Sequence, residues 1–353
     1  MPTFLVNVSK IQQNLDAIFA RAQERKIDFV SVVKSFHDSS ELMHLFDRRR
    51  PSYLGMSKLP LAEKFRDQVQ SPIMMTSIPR PADAARTVRI AEVSLNSNLE
   101  TIAALDRAAA DAGTHHGIVL MIDVGDLREG ILPADAAAFV RALAGRGFAH
   151  VSIRGIGTNY ACANGVEPSA ANLETIYSLA GELAAILGAR PYVSLGGSSI
   201  LDWLDHHHLR DWPTQIRIGQ SILLGTLPVV DTAAPGLCTD TLVFRSTILE
   251  QALKPSAPAE PGGADALGAV NRPCDRGFRR RAILDFGVSD TDPKALVPSD
   301  PGIEIITANS DYTIVDVTDS NQPYDVGDTI DFIPKYRAML QGFISPYLEK
   351  KYQ

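Results

Sequence analysis

Lys34 closes the apolar run DFVSVVK (28–34), so its amine emerges at the end of a buried strand rather than on a solvated helix face. Desolvation there would favour the neutral amine and make Lys34 a nucleophile or Schiff-base former. An ordinary snorkelling lysine suits the same position, and both readings stand at this point. In SLGGSSIL (194–201) a β-type run ends in Gly-Gly-Ser-Ser and enters a helix. Its glycines allow close backbone approach, and free N–H groups with the hydroxyls of Ser198 and Ser199 could hold an anion, although a plain helix cap uses the same residues. The next β run, QIRIGQS (215–221), also ends in a glycine, Gly219, followed by Gln220. Arg217 lies inside it, where a guanidinium must be paired or directed into a functional lumen. Asp123 and Arg128 in IDVGDLREG, and Thr158-Asn159-Tyr160, add polar groups after two earlier strands.

These residues need a scaffold that brings strand ends together. Eight β-type runs follow Phe4–Val8: 28–34, 52–57, 71–77, 91–97, 116–125, 150–159, 190–197 and 214–219. The stretches 11–23, 59–68, 99–112, 134–144 and 172–187 space apolar residues at three and four, as helices facing a core do. Eight strands alternating with helices over about two hundred residues predict an α/β fold, a (β/α)8 barrel of the TIM type, with a doubly wound sheet as the rival. In such a barrel the catalytic groups lie at the C-terminal strand ends, and the loops after strands seven and eight often bind phosphate. By this count SLGGSS and IRIGQ follow those strands.

From Cys238 the character changes to β-formers and turns, with no convincing helix before Arg337–Tyr347, which predicts a C-terminal mostly-β domain. The expected division is a barrel at 8–236 and a β domain at 237–353 that also takes the N-terminal strand 1–7. Residues 254–273, rich in Pro, Gly and Ala, read as a flexible insert between two strands of that domain.

Composition narrows the function. The 353 residues are 45% hydrophobic and 21% charged with a net charge of −7, so neither disorder nor a nucleic-acid or membrane partner is expected. The clusters at Arg48–Arg50 and Arg279–Arg281 read as solvated faces. Cys162, Cys238 and Cys274 form no CxxC pair, and His206-His207-His208 lacks HxxxH spacing, so no disulfide framework or metal is expected. With no signal-like N-terminus and no long apolar run, the expectation is a soluble, cytoplasmic protein.

The chain resembles the pyridoxal-phosphate enzymes of the alanine racemase fold, and more closely the alanine/ornithine racemase subgroup. The resemblance rests on VVKSFHDS, SLNSNLE, MIDVGDLREGI, GIGTNYAC, SLGGSSIL, IRIGQSILLG, DPGIEIITANSDYTIVDVTD and ISPYL, which run nearly end to end. It implies that Lys34 forms the internal aldimine with pyridoxal 5'-phosphate and moves the substrate's Cα proton on one face. Ser198 would bind the cofactor phosphate, helped by Ser199, the backbone N–H groups of Gly219 and Gln220, and Tyr336. Arg217 would face the pyridine nitrogen, Arg128 the phenolic oxygen, and Asn159 would stand where the family usually stacks a histidine on the ring. An arginine is too weak an acid to protonate the ring, which favours racemisation over transamination.

Two departures bear on the reaction. Tyr312 stands where ornithine-type members carry a histidine, which makes it the candidate second base, with Tyr324 as another tyrosine in the same domain. The 254–273 insert is longer than the family's. Asp290 and Asp292, in GVSDTDP, match a doubly acidic loop of the subgroup and could receive a basic side chain. The expected activity is racemisation of ornithine or another basic amino acid by a homodimer whose β domains complete each other's barrels. The alternatives are a lyase of the D-threonine aldolase or D-serine dehydratase type, and a non-catalytic pyridoxal-phosphate carrier.

Overall fold

The structure is a computed structural model that describes residues 1–260, 262–265, 267–268, 270 and 274–353. The chain divides into two compact units, Gln12–Cys238 and the pair Met1–Ile11 with Thr239–Gln353. After β1 (Thr3–Val6) and α1 (Val8–Glu24), the first of these units carries β2 (Asp28–Val32), β3 (Tyr53–Met56), β4 (Ile73–Met75), β5 (Val93–Asn96), β6 (His116–Met121), β7 (Val151–Asn159), β8 (Tyr192–Gly196) and β9 (Thr214–Ile218). These eight strands close a parallel barrel, β9 pairing back onto β2, as the alternation of runs predicts. The doubly wound sheet is thereby excluded. Because parallel strands are buried on both faces, their sequences read as nearly continuous apolar runs.

The helices between them are α2 (Ser40–Arg48), α3 (Leu59–Phe65), α4 (Ala84–Ile90), α5 (Leu99–Asp111), α6 (Ala136–Gly145), α7 (Ala170–Leu187), α8 (Ile200–His206) and α9 (Gln220–Leu224). Local chemistry starts and stops them. Asn98 Oδ1 accepts the N–H groups of Glu100 and Thr101 at the head of α5, and Ser169 with Asn172 forms a capping box on α7, which Gly188 ends in the left-handed conformation.

Register decides what fills the barrel. Val30 is paired with Tyr53 on one side and Arg217 on the other, so these three side chains point inward together. Val32, Met74, Val93, Leu95, Val119 and Met121 form the apolar part of the interior, with Tyr53 and Tyr192 packed against it. Ser194, Gln215 and Arg217 supply a polar sector between β8 and β9, where Ser194 Oγ donates to Gln215 Oε1 at 2.8 Å.

In the second unit, β10 (Leu242–Pro255), β11 (Phe278–Leu284), β12 (Leu296–Pro298), β13 (Glu304–Ala308), β14 (Thr313–Asp316) and β15 (Thr329–Pro334) pair in the order β12-β15-β10-β11-β14-β13. The N-terminal β1 is antiparallel to β10 and parallel to β16 (Glu349–Tyr352), so both chain ends enter this sheet. Its core is aromatic: Phe244 meets Phe4 and Phe286 edge-on at 5.5 and 4.7 Å between ring centroids, and Phe286 meets Phe332 at 5.8 Å. The one α-helix after Cys238 among the described residues is α10 (Tyr336–Ile344). Of the expected insert, Lys254 and Pro255 extend β10, while residues 261, 266, 269 and 271–273 lie outside the described residues. Among the described residues no helix is long and apolar enough to cross a membrane.

Candidate active site

At the C-terminal end of the barrel, β2 stops at Val32 and Lys34 opens a single 3-10 turn, Lys34–Phe36. Its side chain is solvent-exposed, so the desolvation expected from its place after an apolar strand is not found. The strand ends two residues early, and the turn carries the lysine out of the wall.

Arg217 on the neighbouring β9 is 3% exposed. Its Nη1 donates to Ser194 O at 3.0 Å and to Ser194 Oγ, and its Nη2 donates to Thr158 O at 2.8 Å and Asn159 Oδ1 at 3.0 Å. All four acceptors are neutral, so the structural ion pair that would explain a buried arginine is not what holds it. Burial pulls the guanidinium down to about 10, against the pull of Tyr192 and Glu129, and it stays cationic at neutral pH.

Asn159 connects Arg217 to the loop after β6. Its Nδ2 donates to Glu129 Oε1 at 2.8 Å, and Glu129 grips Arg128 through both carboxylate oxygens. Burial opposes the charge of Arg128, but Glu129 outweighs it and holds that guanidinium above its ordinary value. Arg128 Nη1 also touches Cys162 Sγ. The loop is tightly built. Asp123 Oδ1 accepts the N–H groups of Gly125 and Leu127, and the buried Asp126 carboxylate accepts those of Cys162, Ala163, Asn164 and Val166. Desolvation alone would raise Asp126, but these bonds win and keep its carboxyl below the usual range. In the sequence, the one signal for Glu129 and Asp126 is the run of acidic residues around Arg128 in GDLREGI.

Beyond β8, Ser198 and Ser199 are both buried. Ser198 Oγ accepts the Ser221 N–H at 3.2 Å, which leaves its own proton to donate. Ser199 Oγ is buried without a hydrogen-bond partner, as is Tyr160 Oη, whose phenol burial pushes up. A buried orphan hydroxyl costs free energy unless something accepts it, which suits a site built for an anionic group. Both α8 and α9 have at most seven residues, so neither supplies a long helix dipole there. Gly219, in the turn before α9, is buried and Gln220 half-buried.

The barrel unit therefore brings Lys34, Arg128, Asn159, Ser198, Ser199, Arg217, Gly219 and Gln220 to its strand ends. The other expected residues belong to the β unit. Tyr312 is 46% exposed in the turn before β14, where its N–H donates to Asn309 Oδ1 at 2.8 Å, so it is not a core aromatic. Tyr336 opens α10 and is half-buried, while Tyr324 is buried. The two acidic candidates differ. Asp292 accepts the Lys294 N–H at 3.1 Å and pairs with Arg337 Nε at 3.0 Å, which occupies its carboxylate structurally. Asp290 accepts the Gly287 N–H at 2.9 Å, and burial, with Asp285 and Asp311 adding to it, raises its carboxyl above the usual range.

Residues 6–227 match the model of the alanine racemase N-terminal domain, nearly two thirds of the chain and the whole barrel. The chain belongs to the alanine racemase family. It is 34% identical to an ornithine racemase of Acetoanaerobium sticklandii, covering 99% of both chains, and 28% identical to a lysine racemase of Thermotoga maritima, covering 100% of this chain and 98% of that one. Both full-length relatives of this family member are amino-acid racemases, and an amino-acid racemase is the enzyme class the similarity supports. Among solved structures, the alanine racemase of Streptomyces coelicolor superposes with a TM-score of 0.75 at 17% identity, covering 99% of this chain and 97% of that one. The D-threo-3-hydroxyaspartate dehydratase of Delftia sp. HT23 gives 0.73 at 14% identity, covering 100% and 94%. At these identities the likeness is one of fold, and that fold is shared by a racemase and a dehydratase.

Proposed function

We propose that this alanine racemase family member is a pyridoxal-phosphate-dependent racemase of a basic amino acid, with ornithine the first substrate to test. The observation that carries the reading is Arg217. It is a buried guanidinium bonded to neutral oxygens at a strand end, between the strand that leads to Lys34 and the strand that leads to Ser198 and Ser199.

The residues present suit the cofactor. Lys34 would hold it covalently, and the exposed amine is open to do so. Ser199, with its unpartnered buried hydroxyl, and Ser198, with a proton to donate, would hold the phosphate together with the backbone N–H groups of Gly219 and Gln220 and with Tyr336. Arg128 would meet the phenolic oxygen and Asn159 the ring. Pyridoxal phosphate, when bound, draws electrons from the substrate's Cα and so makes its proton removable.

The chain's own groups then decide the outcome. Arg217 keeps its proton at neutral pH, so it supports the ring nitrogen without protonating it, and the moderate electron withdrawal favours return of the proton to Cα. Lys34 Nζ takes the Cα proton on one face, and Tyr312 Oη delivers one on the other, which inverts the centre. The reverse reaction uses the same two groups with roles exchanged. The reading includes a homodimer in which the β unit of one copy completes the barrel of the other and supplies Tyr312.

For the substrate, full-length similarity to ornithine and lysine racemases supports a basic side chain. Asp290 supports it physically: a half-buried carboxylate with acidic neighbours gains from an arriving ammonium, whereas Asp292 already has Arg337. The test is to incubate the cofactor-loaded protein with a panel of L-amino acids in deuterium oxide while following Cα exchange and chirality. Exchange with inversion of ornithine or lysine is the expected result. Exchange without inversion would overturn the two-base reading, and release of ammonia or an aldehyde would make the protein a lyase.

A further inference from the structure

We propose that Glu129 is a positioning residue of this site, one carboxylate that orients Arg128 directly and Arg217 through Asn159. The inference rests on the site reading above but concerns a residue to which that reading gives no role.

Three features single it out. First, both Glu129 oxygens are used: Oε2 accepts from Arg128 Nε, while Oε1 accepts from Arg128 Nη2 and from Asn159 Nδ2 at 2.8 Å. Secondly, Asn159 has its amide orientation set by this contact. With Nδ2 donating to Glu129, only Oδ1 remains for Arg217 Nη2, 3.0 Å away. A flipped amide would place an N–H against a guanidinium N–H and lose both bonds. Thirdly, the backbone under Glu129 is fixed. Gly130 follows with φ +143°, and a Cβ there would lie 2.5 Å from Asp123 N, so the turn that presents Glu129 needs this glycine. The Ile122–Ile131 bridge closes the turn, and the Asp126 carboxylate ties the adjoining loop at 162–166 to it.

The consequence is a coupling between two cations, Arg217 on β9 and Arg128 in the loop after β6. Arg217 has no carboxylate of its own, and Glu129 reaches it at one remove, as its attraction on the Arg217 charge also indicates. A group held at one remove on rigid loops is how a site keeps its polar contacts within the tolerance that chemistry needs.

The test compares Glu129→Gln, which keeps an acceptor for Asn159 but loses the charge, with Glu129→Leu, which loses both. In cofactor-free protein labelled with 15N-arginine, hydrogen exchange of the Arg217 guanidinium is read by NMR. Exchange should match wild type in Glu129→Gln and accelerate about tenfold or more in Glu129→Leu. In the loaded enzyme both variants should lose kcat, Glu129→Leu by about 10²-fold, with a smaller change in KM and a shifted visible absorption maximum. Arg217 exchange equal in all three proteins overturns the proposal. If wild type itself takes up no pyridoxal phosphate, the functional reading fails while the exchange comparison still decides the role of Glu129 toward Arg217.

Discussion

Gly196 and Arg217 face each other across the β8–β9 pair so closely that a methyl group on Gly196 would lie 2.8 Å from the guanidinium carbon and 2.6 Å from Asn159 Oδ1. The glycine in SLGG is thus a packing requirement of the arginine beside it. Gly196→Ala must push the guanidinium off Thr158 and Asn159 or bend the strand, and such overpacking costs about 1–3 kcal/mol. Urea denaturation should show that loss, with activity reduced about tenfold or more. Full activity and unchanged stability would mean that Arg217 has another position available.

That relationship shows what was legible in the sequence and what was not. The eight barrel strands could be read because strands buried on both faces are continuous apolar runs, and Arg217 stood out as the charge that interrupts one of them. The helices α2 and α4 do not show in the sequence, because seven to nine residues are too few turns to display a period. The strand β16 was missed because EKKY is polar and joins the sheet only through β1. At the candidate site, the residue types of Lys34, Ser198 and Arg217 stand out where a strand ends. Asp126 and Glu129 do not, since acidic residues in a loop ordinarily face water. Their partners, such as the N–H groups 36 to 40 residues after Asp126, follow from the barrel's closure and not from local spacing.

Lys34 is the expected anchor of the cofactor. Lys34→Ala should abolish a yellow chromophore that borohydride traps on the wild-type protein, and peptide mass spectrometry should find the reduced adduct on Lys34 alone. A trapped adduct on another lysine would remove Lys34 from its role.

The two serines should separate by experiment. Loss of one hydroxyl bond to a charged acceptor costs about 1.5–3 kcal/mol, so Ser198→Ala should weaken pyridoxal phosphate about tenfold to hundredfold. Ser199→Ala should weaken it too, with little loss of apo-protein stability because its hydroxyl has no protein partner to lose. Unchanged affinity in both would reduce the motif to a helix entry.

His116 makes a prediction about pH that is independent of the cofactor. Its ring is buried, with Nε2 2.8 Å from Ser94 Oγ, and burial pushes it from 6.5 down to about 4. Below pH 6.5 the unfolded chain takes up a proton that the folded chain refuses. Stability should therefore fall as pH drops from about 6.5 to about 4, by an amount on the order of 3 kcal/mol, and this contribution should stop changing below about 4. Denaturation midpoints across that range should fall less steeply in His116→Gln, whose side chain does not titrate. Equal slopes for both proteins would assign the effect to other groups.

Tyr312 carries the boldest prediction. Two-base racemisation needs a donor on the face opposite Lys34, and Tyr312 is accessible, 46% exposed at a turn held by Asn309. Tyr312→Phe keeps the ring and removes only the proton. Inversion should fall about 10²-fold or more, a loss typical of a missing acid–base group, while Cα exchange of the enantiomer that Lys34 serves continues in deuterium oxide. That split separates a proton donor from a residue that merely shapes the site, because a misshapen site would lose exchange and inversion together. Racemisation at the wild-type rate in both directions would eliminate Tyr312 and turn the search to other groups of the β unit, Tyr324 and Tyr336 first.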